Sequence, residues 1–443
     1  MDFPVPDHVT IEIYRDGRWR SAATLTPDQA QQGYRGRAAF EYVTPYAADY
    51  AGPETAAAAG LSCGYPVDFD LHQDPHWPAF VLDILPTGFG RRQWLEQLEL
   101  PDGPNADWPL LLHGTAFPPG NLRVAEAVAA KRPDTRVPTA SGDLVPMSDH
   151  PGFTREEVIA RSDAFVEYAF QHGIYAAGGS DVQGVAPKLL LTQDRDGAWH
   201  AEGRLADVAV ATHWLVKRPR GSTAVDRKVL RNEAAYMRVA DAMGLRVHGE
   251  LTWENDCLFI PRFDRIVQDG ALQRLGMESL ASLANVAEYG ARIPHDILCR
   301  AIIHHCRDPA NDLLEYIRRD ILNVVMGNKD NHARNTVVLR DEDGSVGLSP
   351  LFDFAPMYLD PEGIPRVCRW DGDAEEGGVP NWVVVIERYR EQLDDHIPVL
   401  CDFGRRIERL PEVMRELGVD EDIIEHHARG IEQHAHALMR LGG

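Results

Sequence analysis

The sequence predicts an α+β protein of two lobes, with strands concentrated in the first half and helices in the second. Three observations predict it. The chain opens on a hairpin pattern, a second group of strand patterns lies between Lys188 and Phe263, and helical periodicity dominates beyond Ser279. With 443 residues, each lobe can build an ordinary core without disulfide staples.

From Val9 to Ala23 residues alternate around the turn Asp16-Gly17-Arg18, which predicts a hairpin in a small β-rich subdomain over residues 1–130. Trp77 to Leu98 carries apolar residues at helical spacing on both sides of Pro86-Thr87-Gly88, so a helix, a turn and a second helix are expected. Residues 131–153 are rich in Pro, Gly, Ser and Asp and lack a period, as linkers do. Thr154 and Glu157 fit a capping box that starts a helix running to about Gln171. A glycine-bearing loop from Gly178 to Gly184 then enters a strand, Lys188 to Thr192. A hairpin at Asp194 to Trp199 leads to a strand, His213 to Lys217, then a helix, Lys228 to Met243, and strands around Leu251 to Phe263. The expected division is 154–262 for a lobe with this loop and lysine, and 263–443 for a helical lobe.

Lys and Arg number 45 against 68 Asp and Glu, a formal charge of −23, which opposes unaided approach to nucleic acid or to an anionic membrane. The first residues show no basic segment followed by an apolar one, and no stretch stays apolar long enough to span a bilayer, so a cytoplasmic protein is expected. Six scattered cysteines form no CxxC pair and read as free, mostly buried thiols. His304 and His305, and the group His426, His427, His434 and His436, lack converging carboxylates or thiolates and are expected to be helix residues rather than metal ligands.

The chemistry is concentrated between Gly327 and Phe354. Asp330, Asn335 after four intervening residues, and Asp353 beyond a hairpin from Val337 to Leu348 form the order that phosphoryl transfer requires. Asp330 can accept a proton from an attacking hydroxyl, while Asn335 and Asp353 offer a neutral and a charged oxygen to a magnesium ion. Each residue alone fits a turn equally well, because Asp and Asn start turns everywhere. Upstream lie further parts of the same set. Lys217 in an apolar strand needs an anionic partner, Glu233 on the next helix is placed to orient such a lysine, and the segment from Ser180 to Lys188 offers backbone N–H groups and a cation to phosphates. That segment is not GxxxxGK[ST], which disfavours a P-loop NTPase.

In this order the parts resemble the HipA-like serine/threonine kinases, toxin components of bacterial toxin–antitoxin modules. Phe40-Glu41-Tyr42 and Asp83 to Gly88 look like that family's N-terminal strand and "LLP-[DE]-G" element, and Gly184 to Lys188 like its nucleotide loop. Pro261 to Arg265 is similar to its hinge ending in RFDR, Gly327 to Asn335 to its catalytic "G-x-x-D-x-H-x-K-N" run, and Leu351 to Asp353 to its metal-binding "P-x-Y-D".

The resemblance implies a two-lobed kinase-like fold that uses ATP and Mg2+. Asp330 would be the catalytic base, with Asn335 and Asp353 as metal ligands. ATP contacts would come from Gln183, Gly184, Val185, Ala186, Pro187 and Lys188 over the nucleotide, and from Lys217 with Glu233. Pro261, Arg262 and Phe263 would meet the adenine edge, with His332, Ala333, Arg334 and Phe352 completing the site. Two departures stand out: Arg334 replaces the usual lysine, and Asp181 stands where the family autophosphorylates a serine, with Ser180 one residue earlier. Autophosphorylation is expected at Ser180.

The implied acceptor is an aminoacyl-tRNA synthetase or another translation factor, and the implied partner a small DNA-binding antitoxin. Direct nucleic-acid binding is not expected. The alternatives are a small-molecule kinase, since these parts do not identify the acceptor, and a non-catalytic scaffold for an antitoxin or operator complex.

Overall fold

The computed structural model describes residues 6–131, 135–173, 186–268, 271–361 and 363–442. It is an α+β structure of two compact units. The first comprises Met1–Arg218, Phe259–Tyr289 and Leu339–Ser345, and the second Pro219–Leu258, Gly290–Val338 and Val346–Gly443.

In the first unit an antiparallel sheet runs in the order His72–Asp74, Ala38–Tyr42, Arg18–Pro27, Val9–Arg15, Leu122–Val124. Its central hairpin turns at Asp16 (φ 53°) and Gly17 (φ 71°), the two left-handed positions that a tight hairpin needs. Val9, Ile11 and Ile13 alternate inward, and Phe40, Trp77 and Trp108 fill the core behind them.

A second sheet holds Lys188–Asp194 between Trp199–Ala201 and Val210–Lys217, with Cys257–Pro261 beyond the latter. The expected linker carries a short hairpin. Arg136–Pro138 and Leu144–Pro146 pair across a turn in which the Thr139 N–H donates to the Asp143 carbonyl, and Phe153 bridges Trp199. Local turn chemistry supplies the order that the missing period did not suggest.

Thr154 and Glu157 form the expected capping box, but the helix is interrupted. Arg155–Ala160 ends at Arg161 in the left-handed region (φ 50°), and Ser162 caps a separate helix, Asp163–His172. An apolar period carried across the break hid it.

The second unit is mainly helical. Pro309–Val325 starts at an Asp308 cap with proline in its first turn, and buries Leu313, Ile317, Ile321 and Val325 on one face. Ile397–Glu408 crosses Glu421–Met439 closely at Gly404, where a β-carbon would meet that of Leu438 at 2.9 Å. The helix Ala224–Ala242, expected with the strand-rich lobe, belongs here: Tyr236 donates its hydroxyl to the Met326 carbonyl at 2.8 Å. Among the described residues, no helix is long and apolar enough to cross a membrane. The six cysteines are free and, Cys63 apart, buried.

Candidate active site

The segment from Gly327 to Asn335 follows the helix Pro309–Val325, with Gly327 at φ 71° and a β-carbon's place there taken by the His427 ring 2.5 Å away. Only glycine fits that approach. The chain then closes on itself. Asn335 donates its amide to the Asp330 carbonyl at 2.9 Å and lies 3.4 Å from the Asp330 carboxylate. The Asn335 N–H reaches the His332 carbonyl, His332 Nδ1 accepts from the Arg334 N–H, and His332 Nε2 stands 3.6 Å from Asp330 Oδ1. Asn328 caps the Asp330 N–H at 3.3 Å. Asp330, His332, Ala333 and Asn335 are all buried, so four residues of the expected set share one compact loop.

Because the Asn335 nitrogen is committed to Asp330, its amide oxygen is the atom that can serve a cation. Asp353 holds a left-handed backbone (φ 55°) between Phe352 and the fully buried Phe354. Among the described residues no group of three or more His, Cys, Asp or Glu is placed to hold a metal ion. One amide and one carboxylate are hard oxygen donors that suit magnesium, which keeps waters and takes further oxygens from phosphates. Glu233 is buried in the helix of the same unit.

In the first unit, Lys217 and Lys188 are direct cross-strand partners, and the Arg218 N–H donates to the Pro187 carbonyl at 3.0 Å. Lys217 is buried, and the end of the expected nucleotide loop at Ala186 and Pro187 is fixed to the same strand. Gln183, Gly184 and Val185 lie outside the described residues, as do Ser180 and Asp181.

The expected hinge is more restricted than the sequence suggests. The Arg262 N–H is already given to the His213 carbonyl, and Pro261 has none, so neither residue can offer an N–H to an adenine edge. The Arg262 guanidinium is buried in an ionic cluster. It binds Asp264 at 2.6 Å and Glu202 at 3.1 Å, while Arg265 binds Asp264 at 2.8 Å and the Gly120 carbonyl at 2.7 Å. Burial alone would raise the Glu202 carboxyl, but Arg262, His213 and Arg265 hold it well below the usual range. The RFDR residues therefore bind the N-terminal subdomain's Gly120 to the second sheet.

Sequence reasoning passed over a buried polar network next to Asp330. The Asn331 amide oxygen accepts the Val367 and Cys368 N–H groups at 3.1 and 3.2 Å, and its nitrogen donates to Asp320 at 3.3 Å and to the Cys368 carbonyl at 3.2 Å. Asp320 also accepts from Arg366 at 2.7 Å and from Trp370 Nε1 at 2.9 Å. The available signal was an aspartate on the apolar face of a helix.

The HipA-like C-terminal domain matches residues 180–427. A Sinorhizobium fredii protein named "Putative kinase Y4mE" is 26% identical over 236 residues, covering 47% of this chain and 53% of that protein. A Haemophilus influenzae protein named "Putative kinase" is 25% identical over 166 residues, covering 32% of this chain and 48% of that protein. The chain thus spans about half the length of the curated relatives it matches. A chain of the Shewanella oneidensis complex of HipA, HipB and operator DNA has the same fold, with a TM-score of 0.63 at 16% identity over 98% of this chain and 99% of that one. With the family match covering more than half its length, the chain belongs to the HipA-like C-terminal domain family.

Proposed function

We propose that the protein is an ATP- and Mg2+-dependent serine/threonine protein kinase. The closed loop that joins Asp330 to Asn335, within a HipA-like C-terminal domain, is the observation that carries the reading. The Asp330 carboxylate, held by Asn335 and flanked by His332, takes the proton of the acceptor hydroxyl as its oxygen attacks the terminal phosphorus of ATP, the bond from that phosphorus to the bridging oxygen breaks and ADP leaves. Asn335 and Asp353 would hold magnesium, which would supply positive charge to neutralise the phosphates. Lys217, with Lys188 opposite, supplies positive charge to the phosphates, and the backbone of Pro261 to Phe263 meets the adenine edge.

A protein of the translation machinery is the acceptor class, and a small DNA-binding antitoxin the partner class, that family membership supports. HipA of the Shewanella oneidensis complex occurs with HipB and operator DNA, and the net charge of −23 here suits a basic intermediary to DNA. Calorimetry with ATP, with and without magnesium, tests the nucleotide reading. Binding that needs magnesium and weakens by about tenfold or more in Lys217→Ala supports it. Unchanged affinity in both comparisons contradicts it.

A further inference from the structure

Asn331 occupies a position that the G-x-x-D-x-H-x-K-N pattern leaves open, yet its side chain is fully engaged. Its oxygen receives two successive backbone N–H groups, from Val367 and Cys368, and its nitrogen serves the Cys368 carbonyl and the Asp320 carboxylate. A side chain that pairs with both polarities of one backbone segment fixes that segment's position as well as its own.

Asp320 anchors the other side. It lies on the rigid helix Pro309–Val325, 2% exposed, and gathers Arg366 at 2.7 Å, Trp370 Nε1 at 2.9 Å and His295 Nε2 at 3.3 Å besides Asn331. Glu375 takes the other arm of Arg366 at 2.8 Å and the Trp370 N–H at 3.0 Å. A buried carboxylate with this many donors remains charged although burial disfavours it, chiefly through the Arg366 guanidinium.

We infer that Asn331 and Asp320 are positioning residues, a latch that joins the segment Arg366–Trp370, downstream of the metal-binding aspartate, to the loop that carries the catalytic base. The inference rests on the proposed phosphoryl transfer. Asn331 adjoins Asp330 in the chain, so anchoring its side chain restrains the backbone that carries the base. The arrangement also gives the 366–370 segment a direct hold on the reacting geometry, because moving that segment breaks the hydrogen bonds that orient Asn331.

Asn331→Ala in the full chain tests the latch by two readouts. Amide exchange at Val367 and Cys368 should speed by about tenfold or more, from the loss of their acceptor, while exchange in the helix Pro309–Val325 stays slow. Turnover with Mg-ATP should fall by about tenfold to a hundredfold in kcat, with KM for ATP within about twofold of wild type.

If Asn331→Ala does not fold, Asn331→Asp is read instead. It keeps the acceptor for the two N–H groups but sets a carboxylate against Asp320, so slow exchange with lowered kcat is expected. A folded variant with wild-type kcat, or Asn331→Ala with unaltered exchange at Val367 and Cys368, overturns the inference. Absence of turnover in the wild type would refute the kinase reading, whereas the exchange result would still decide whether the latch exists.

Discussion

The Phe354 ring packs 5.1 Å from that of Tyr236, at 56°, with both residues fully buried. Tyr236 is tied in turn to the Met326 carbonyl, just before the loop that carries Asp330. This contact anchors the residue next to Asp353 and holds Asp353 in its left-handed conformation, which an ordinary side chain resists.

Backbone and charge at Asp353 should therefore separate. Asparagine tolerates the left-handed region and alanine does not, so Asp353→Ala should lose roughly 1 kcal/mol more stability than Asp353→Asn. Both should lose magnesium-dependent ATP binding. Denaturant melts and calorimetry on the two variants check this, and equal stabilities would contradict the backbone argument.

The cluster around Glu202 makes a second expectation. This carboxylate faces Arg262 at 3.1 Å, His213 at 3.0 Å, Arg274 at 3.6 Å and Arg265 at 3.7 Å, all buried. Glu202→Gln leaves buried guanidinium groups undercompensated and should cost roughly 3–5 kcal/mol. A loss below about 1 kcal/mol in denaturant unfolding would show that Asp264 and Asp207 carry the cluster without it.

Acid should destabilise the helical unit before its carboxylates titrate. Burial pushes His295, His427 and His434 each down to about 4. His434 Nδ1 accepts the Trp382 indole N–H at 2.9 Å, so the ring serves as a neutral acceptor. Between the unfolded value of about 6.5 and the folded one, the unfolded chain binds more protons, so stability falls as pH drops through this window. Thermal melts from pH about 7.5 to about 5 should show a declining Tm, with a shallower decline in His434→Gln. Parallel slopes would contradict the assignment.

Much of the candidate site was legible because its residues are close in sequence and chemically distinctive. Asp330, His332 and Asn335 meet within one loop, and Lys217 shares a strand end with Pro187 and Lys188. What the sequence concealed depends on tertiary pairing. That the Arg262 N–H belongs to His213, and that Asn331 reaches Asp320 and Val367, requires knowing which segments are neighbours in space. The same applies to the fold. The hairpin at Asp16-Gly17 and the cap at Thr154 carry local signals, whereas the break at Arg161 does not disturb the apolar period, and the allegiance of Ala224–Ala242 is set by its packing on the helical unit.

The nucleotide loop offers its own test. Incubation with Mg-ATP should place a phosphate on Ser180 and progressively lower activity, since a group of about −2 charge is repelled by the nucleotide phosphates. Peptide mass spectrometry, with Asp330→Asn as the inactive control, reads this directly. No phosphate at Ser180 in an active preparation would mean that Asp181 has replaced the device.

Asp330, as the base of the proposed phosphoryl transfer, should be needed for chemistry and not for nucleotide binding. Transfer of the labelled terminal phosphate of ATP to protein serine or threonine, measured for wild type and Asp330→Asn beside their Mg-ATP affinities, tests it most directly. Transfer by the wild type, a loss of at least about 10²-fold in Asp330→Asn, and affinities within a few-fold of each other are expected. Transfer by Asp330→Asn at the wild-type rate would contradict it.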